Sequence, residues 1–74
     1  MTEHDLIHKI EEAIHNIFLE NKNQPLDVQE IILKVEKGLR NGEIDAELTK
    51  QIIENMQDGF ALLTAPSGKL YLNS

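Results

Sequence analysis

The sequence predicts an α+β domain: three amphipathic helices followed by a C-terminal β-hairpin. Three observations carry that reading. Apolar residues recur at helical spacing in three successive segments as far as Met56. Beyond Asp58-Gly59 the pattern changes to two short strand-like runs around Pro66 and Gly68. Turn-forming residues punctuate the chain at Asn21 to Pro25, at Asn41-Gly42 and at Asp58-Gly59.

The first helix is expected over about residues 3–21. Leu6, Ile7, Ile10, Ile14, Ile17 and Phe18 form one apolar stripe. Thr2 and Asp5 resemble a capping box with Asp in place of Glu. Pro25 biases Gln24 towards an extended conformation, so the helix ends before it.

The second helix is expected over about residues 28–38. Asp27 is its N-cap, with Glu30 three residues on. Val28, Ile31, Ile32, Val35 and Leu39 supply the buried face, and Gly38 suits the position that closes the helix. Lys34, Lys37 and Arg40 lie in or just past the last turn, at the negative end of the helix dipole. After the Asn41-Gly42 turn, Asp45 can cap a third helix over about residues 46–57. Its apolar face is Ala46, Leu48, Ile52, Ile53 and Met56, and Asp58-Gly59 ends it.

The hairpin occupies about residues 60–73. In Ala65-Pro66-Ser67-Gly68, Pro at the second position and Gly at the fourth suit a type I turn with a G1 bulge. Two strands alone are marginal in water, so the hairpin must lean on the helices, with Leu62, Leu70 and Leu72 inward. Phe18 and Phe60 read as core. Tyr71 alternates away from Leu70 and Leu72 and is expected on the outer face, beside Leu63 and Ala61.

A chain of 74 residues is enough for one domain, residues 1–74, and not for two. A chain this short buries only roughly 60% of its unfolded surface. Ordering costs about 1.5 kcal/mol per residue, which leaves little apolar material to line an internal pocket. The catalytic inventory is equally thin. There is no Cys, Ser67 and Ser74 have no His and acid at triad spacing, and each of the four glycines is explained by a turn or helix end. The chain is not expected to be an enzyme or to carry a cofactor. Acids near the N-terminus and the lack of an apolar run of roughly 20 residues lead to the expectation of a soluble, cytoplasmic protein without membrane contact.

Seven basic and thirteen acidic side chains give a net charge of −6. Such a charge repels phosphate backbones at long range. His4, His8, Glu11 and His15 fall on one helical stripe about 60° wide. Paired His at i and i+4 with a carboxylate is a zinc geometry, but no second helix evidently adds a ligand, so a solvated polar flank is the favoured reading over a metal site.

The order helix, helix, tight turn, helix, hairpin resembles the winged-helix (winged helix-turn-helix) domains. Gln24-Pro25-Leu26-Asp27-Val28-Gln29-Glu30-Ile31 looks like the entry to their second helix, with Leu26 as the stub of the first strand. Gly42-Glu43-Ile44-Asp45, Leu48 and Ile52-Ile53 look like the turn and third helix. Gly59-Phe60-Ala61-Leu62-Leu63 and Pro66-Ser67-Gly68-Lys69-Leu70-Tyr71-Leu72 look like the strand-wing-strand end, which is similar to that of the C-terminal winged helix of archaeal replicative helicases. The resemblance implies a third helix that enters the major groove and a wing that touches the DNA backbone. This chain departs from that pattern. The solvent face of its third helix would show Glu47, Lys50, Gln51, Glu54, Asn55 and Asp58, one base against three acids, and its wing only Lys69.

The expected function is therefore a small acidic, regulatory protein-interaction module, monomeric or homodimeric. A basic partner surface would meet Glu47, Gln51, Glu54 and Tyr71. Two alternatives stand beside it. A DNA-binding dimer would use Lys34, Lys37, Arg40, Lys50 and Lys69. An acidic DNA mimic would instead block a nucleic-acid-binding protein.

Overall fold

The computed structural model describes residues 3–39 and 46–73. The expectations for Thr2, Arg40, the Asn41-Gly42 turn, Glu43, Ile44 and Asp45 lie outside them. The elements follow in the order α1 (Glu3–Glu20), α2 (Val28–Leu39), α3 (Ala46–Asp58), β1 (Leu62–Thr64) and β2 (Leu70–Leu72). The architecture is α+β: three helices followed by a C-terminal antiparallel hairpin, a layout compatible with a winged helix.

α1 buries Ile10, Ile14 and Phe18 completely and half-buries Leu6, Ile7 and Ile17, so the stripe read from the sequence is its inner face. It ends in a Schellman motif. The Asn23 N–H donates to Phe18 O at 2.6 Å and the Lys22 N–H to Leu19 O at 3.2 Å. Lys22 and Asn23 take the left-handed conformation, with φ of 55° and 54°. α2 starts where Asp27 O accepts the first helical bond, from the Ile31 N–H at 3.0 Å, which makes Asp27 the N-cap. It buries Ile31, Ile32 and Val35. Gly38 does not close α2, because the helix runs on to Leu39.

α3 corrects the sequence reading at both ends. Ala46 is exposed in the first turn, whereas Thr49 is fully buried beside Ile52 and Ile53. No buried side-chain N or O among the described residues lacks a hydrogen-bond partner, so the Thr49 hydroxyl is satisfied. The helix ends in a second Schellman motif, with Ala61 N–H to Met56 O at 2.8 Å and Phe60 N–H to Gln57 O at 3.0 Å. Phe60, not Gly59, takes the left-handed position, with φ 62°. Its side chain is consequently not core: Phe60 is 70% exposed. The strand period extrapolated back from Leu62 places it inward, but the helix cap intervenes and turns the chain before the strand begins.

β1 and β2 pair antiparallel, Leu62 with Leu72, Leu63 with Tyr71 and Thr64 with Leu70. The turn is as expected. The Gly68 N–H donates to Ala65 O at 2.9 Å, the Ala65 N–H to Lys69 O at 2.7 Å, and Gly68 has φ 91°. Leu62, Leu70 and Leu72 are buried against the helices. The other edge of β2 is also occupied. Leu26 and Leu70 exchange both backbone hydrogen bonds at 2.8 Å, so Leu26 is a one-residue strand stub. Two residues along, the Asn23 side-chain amide imitates a peptide: Oδ1 accepts from the Leu72 N–H at 2.9 Å and Nδ2 donates to Leu72 O at 3.1 Å. This closes an edge that would otherwise offer unpaired N–H and C=O groups.

Candidate functional site: the solvent face of the third helix

α3 packs on α2 and β1 through Ile52 and Ile53, which leaves the opposite side of the helix in solvent. Glu47, Gln51, Glu54 and Asp58 follow at steps of four, three and four residues. They therefore share a stripe about 60° wide, and all four are exposed. Lys50 and Asn55 flank the stripe and are exposed as well. The stripe carries three carboxylates and no cation of its own, and the C-terminal end of the helix dipole adds negative potential near Asp58.

At that end the chain also presents Phe60. Its carbonyl oxygen accepts a 2.8 Å hydrogen bond from Asn73 Nδ2, and the Asn73 N–H donates to Ala61 O at 3.1 Å. The left-handed cap is thus clamped from the last described residue of the chain. Sequence reasoning assigned Phe60 to the core and so missed it as surface, because a helix-terminal Gly59 is the residue expected in the left-handed position that Phe60 takes.

Tyr71 stands apart from the stripe. It is half-buried and pairs across the hairpin with half-buried Leu63, on the face opposite Leu62, Leu70 and Leu72. The helices lie on the inner face, so Tyr71 is not grouped with Glu47, Gln51 and Glu54. Of the four residues predicted to meet a partner, the structure unites the three on α3.

The basic residues are divided. Lys34 and Lys37 line a groove between α1 and α2 together with Lys9, Glu12 and Glu20. Lys50 lies on α3 and Lys69 in the hairpin turn, and neither lines that groove. The histidine stripe on α1 is solvent-exposed at His4, His8 and His15, and His8 Nδ1 stands 3.9 Å from Glu11 Oε1. Among the described residues no three His, Cys, Asp or Glu side chains are grouped to hold an ion. No described helix is long and apolar enough to cross a membrane. No family model, curated protein or solved structure matches this chain.

Proposed function

We propose that this chain is a small regulatory protein-interaction module on a winged-helix scaffold, of the kind that acts in transcription, replication or phage–host control, and that its α3 face receives a basic protein surface. The observation that carries the reading is the exposed stripe of Glu47, Gln51, Glu54 and Asp58. In a DNA-reading winged helix this face enters the major groove, where each Lys or Arg that meets a phosphate releases counterions and adds affinity. Three carboxylates there oppose a duplex and favour a cationic protein surface, and they speed its encounter and set its register. The scaffold assignment draws on the element order and on the Leu26 stub, which joins the hairpin as a first strand does in those domains. The ending similar to the C-terminal winged helix of archaeal replicative helicases belongs to the same reading.

Duplex binding by one continuous basic surface has less support, because Lys34 and Lys37 line the α1–α2 groove and Lys50 and Lys69 do not. DNA mimicry has less support too. The α3 carboxylates are unequally spaced, at seven and then four residues, and other exposed acids are spread over α1 and α2.

The test is affinity capture from the source cell with the wild-type chain and with Glu47→Lys/Glu54→Lys as baits. The wild type retains a protein with a basic surface, releases it as salt rises, and the double variant fails to retain it. Equal capture by the two baits, or capture of nucleic acid by the wild type, contradicts the proposal.

A further inference from the structure

We infer that the groove between α1 and α2 is the seat of a symmetric dimer, filled by the same groove of a second copy of this chain. This goes beyond the α3 reading and rests on different residues. The groove has walls of opposite sign. α1 contributes Glu12 and Glu20, and α2 contributes Lys34 and Lys37. All four are exposed, and among the described residues no ion pair joins the two walls. Charges of both signs, side by side on facing walls, are self-complementary under a two-fold rotation. In such an interface residue i meets j while j meets i. The acidic wall of each copy then faces the lysine wall of the other.

Two further features select a second copy as the occupant. The chain carries a net charge of −6, so most of its surface repels another copy. Lys9 also lines the groove, so three lysines stand there against two glutamates and the groove does not share the negative excess of the rest of the chain. Self-association is least opposed at that place. Gly38 is the second feature. It lies in the last turn of α2, where Gly is still a poorer helix former than Ala. Among the described residues nothing lies within 4 Å of a Cβ built there, so the packing they show does not require a glycine. A bare backbone at the groove does let a second helix approach, against a floor that includes half-buried Ile17.

The test is sedimentation equilibrium of the full chain from about 10 µM to about 1 mM, the range in which weak complexes dissociate. The wild type shifts from monomer to dimer across it, and the dimer weakens as salt rises. Lys34→Glu/Lys37→Glu makes both walls acidic, and Glu12→Lys/Glu20→Lys makes both basic. Each double variant alone weakens the dimer by about tenfold or more, and a mixture of the two restores a one-to-one dimer. Gly38→Gln blocks the dimer while circular dichroism shows the monomer still folded. Glu47→Lys/Glu54→Lys leaves the dimer intact, which separates this interface from the α3 face. A wild type that stays monomeric throughout, a dimer indifferent to the groove variants, or a mixture that fails to restore it would overturn the inference.

Discussion

Single residues decide two junctions of this fold, Asn23 at the end of α1 and Phe60 at the end of α3. Asn23 takes φ 54° at the end of α1, and its amide pairs with both polar groups of the Leu72 peptide, 49 residues further along the chain. Asn23→Gly keeps the left-handed conformation and removes only the amide. Two part-buried peptide groups then lose their partners, and stability falls by about 2 kcal/mol, read as a lower urea midpoint. Phe60 is the opposite case. An L-residue in the left-handed region costs about 1–2 kcal/mol, and a ring that is 70% exposed recovers little of it by burial. Phe60→Gly therefore leaves the domain as stable or more stable by up to about 1 kcal/mol, checked by thermal melting. Neither role was legible locally. The stretch from Asn21 to Pro25 announces a helix stop, but nothing in it names the strand that Asn23 completes. Phe60 stands in phase with Leu62, Leu70 and Leu72, so a period of two assigns it inward until the helix cap is known.

At the scale of elements the hydrophobic pattern was the most legible signal. Ile10, Ile14 and Phe18, then Ile31, Ile32 and Val35, then Ile52 and Ile53, and finally Leu62, Leu70 and Leu72 were expected inward and form the buried core together with Leu26. Spacing alone identifies these residues because only one face of each helix or strand can be covered in a chain this small. Reading by residue type was less reliable. Thr49 shares the phase of Ile52, Ile53 and Met56 and is fully buried, yet its hydroxyl excluded it from an apolar list. Ala46 has the right composition but sits in the first turn, beyond the reach of the core. Phe18 is fully buried between the helices, and Phe18→Ala forfeits about 3–5 kcal/mol, comparable to what a core of this size supplies in total. The variant is expected to be largely unfolded at room temperature by circular dichroism, whereas Leu33→Ala, at an exposed position of α2, changes stability by less than about 0.5 kcal/mol.

Across the whole molecule, charge is sorted by element. α3 turns an acidic stripe to solvent, while the lysines of α2 face a groove that it shares with α1. The sequence disclosed the net charge and the composition of the α3 face, since helical spacing alone puts Glu47, Gln51, Glu54 and Asp58 on one side. It could not disclose that Lys34 and Lys37 line a groove of which Lys50 and Lys69 are not part, because that relation depends on how the elements pack. The central claim is that the α3 face is built for a basic protein and not for a nucleic acid duplex. The most direct measurement is a titration of labelled duplex DNA at about 50 mM salt, with the wild type and Glu47→Lys/Glu54→Lys side by side. The account predicts no retention of duplex by the wild type and measurable, salt-sensitive retention by the double variant, whose α3 face has changed sign. Duplex binding by the wild type that falls steeply with salt and is lost in Lys50→Ala would contradict it.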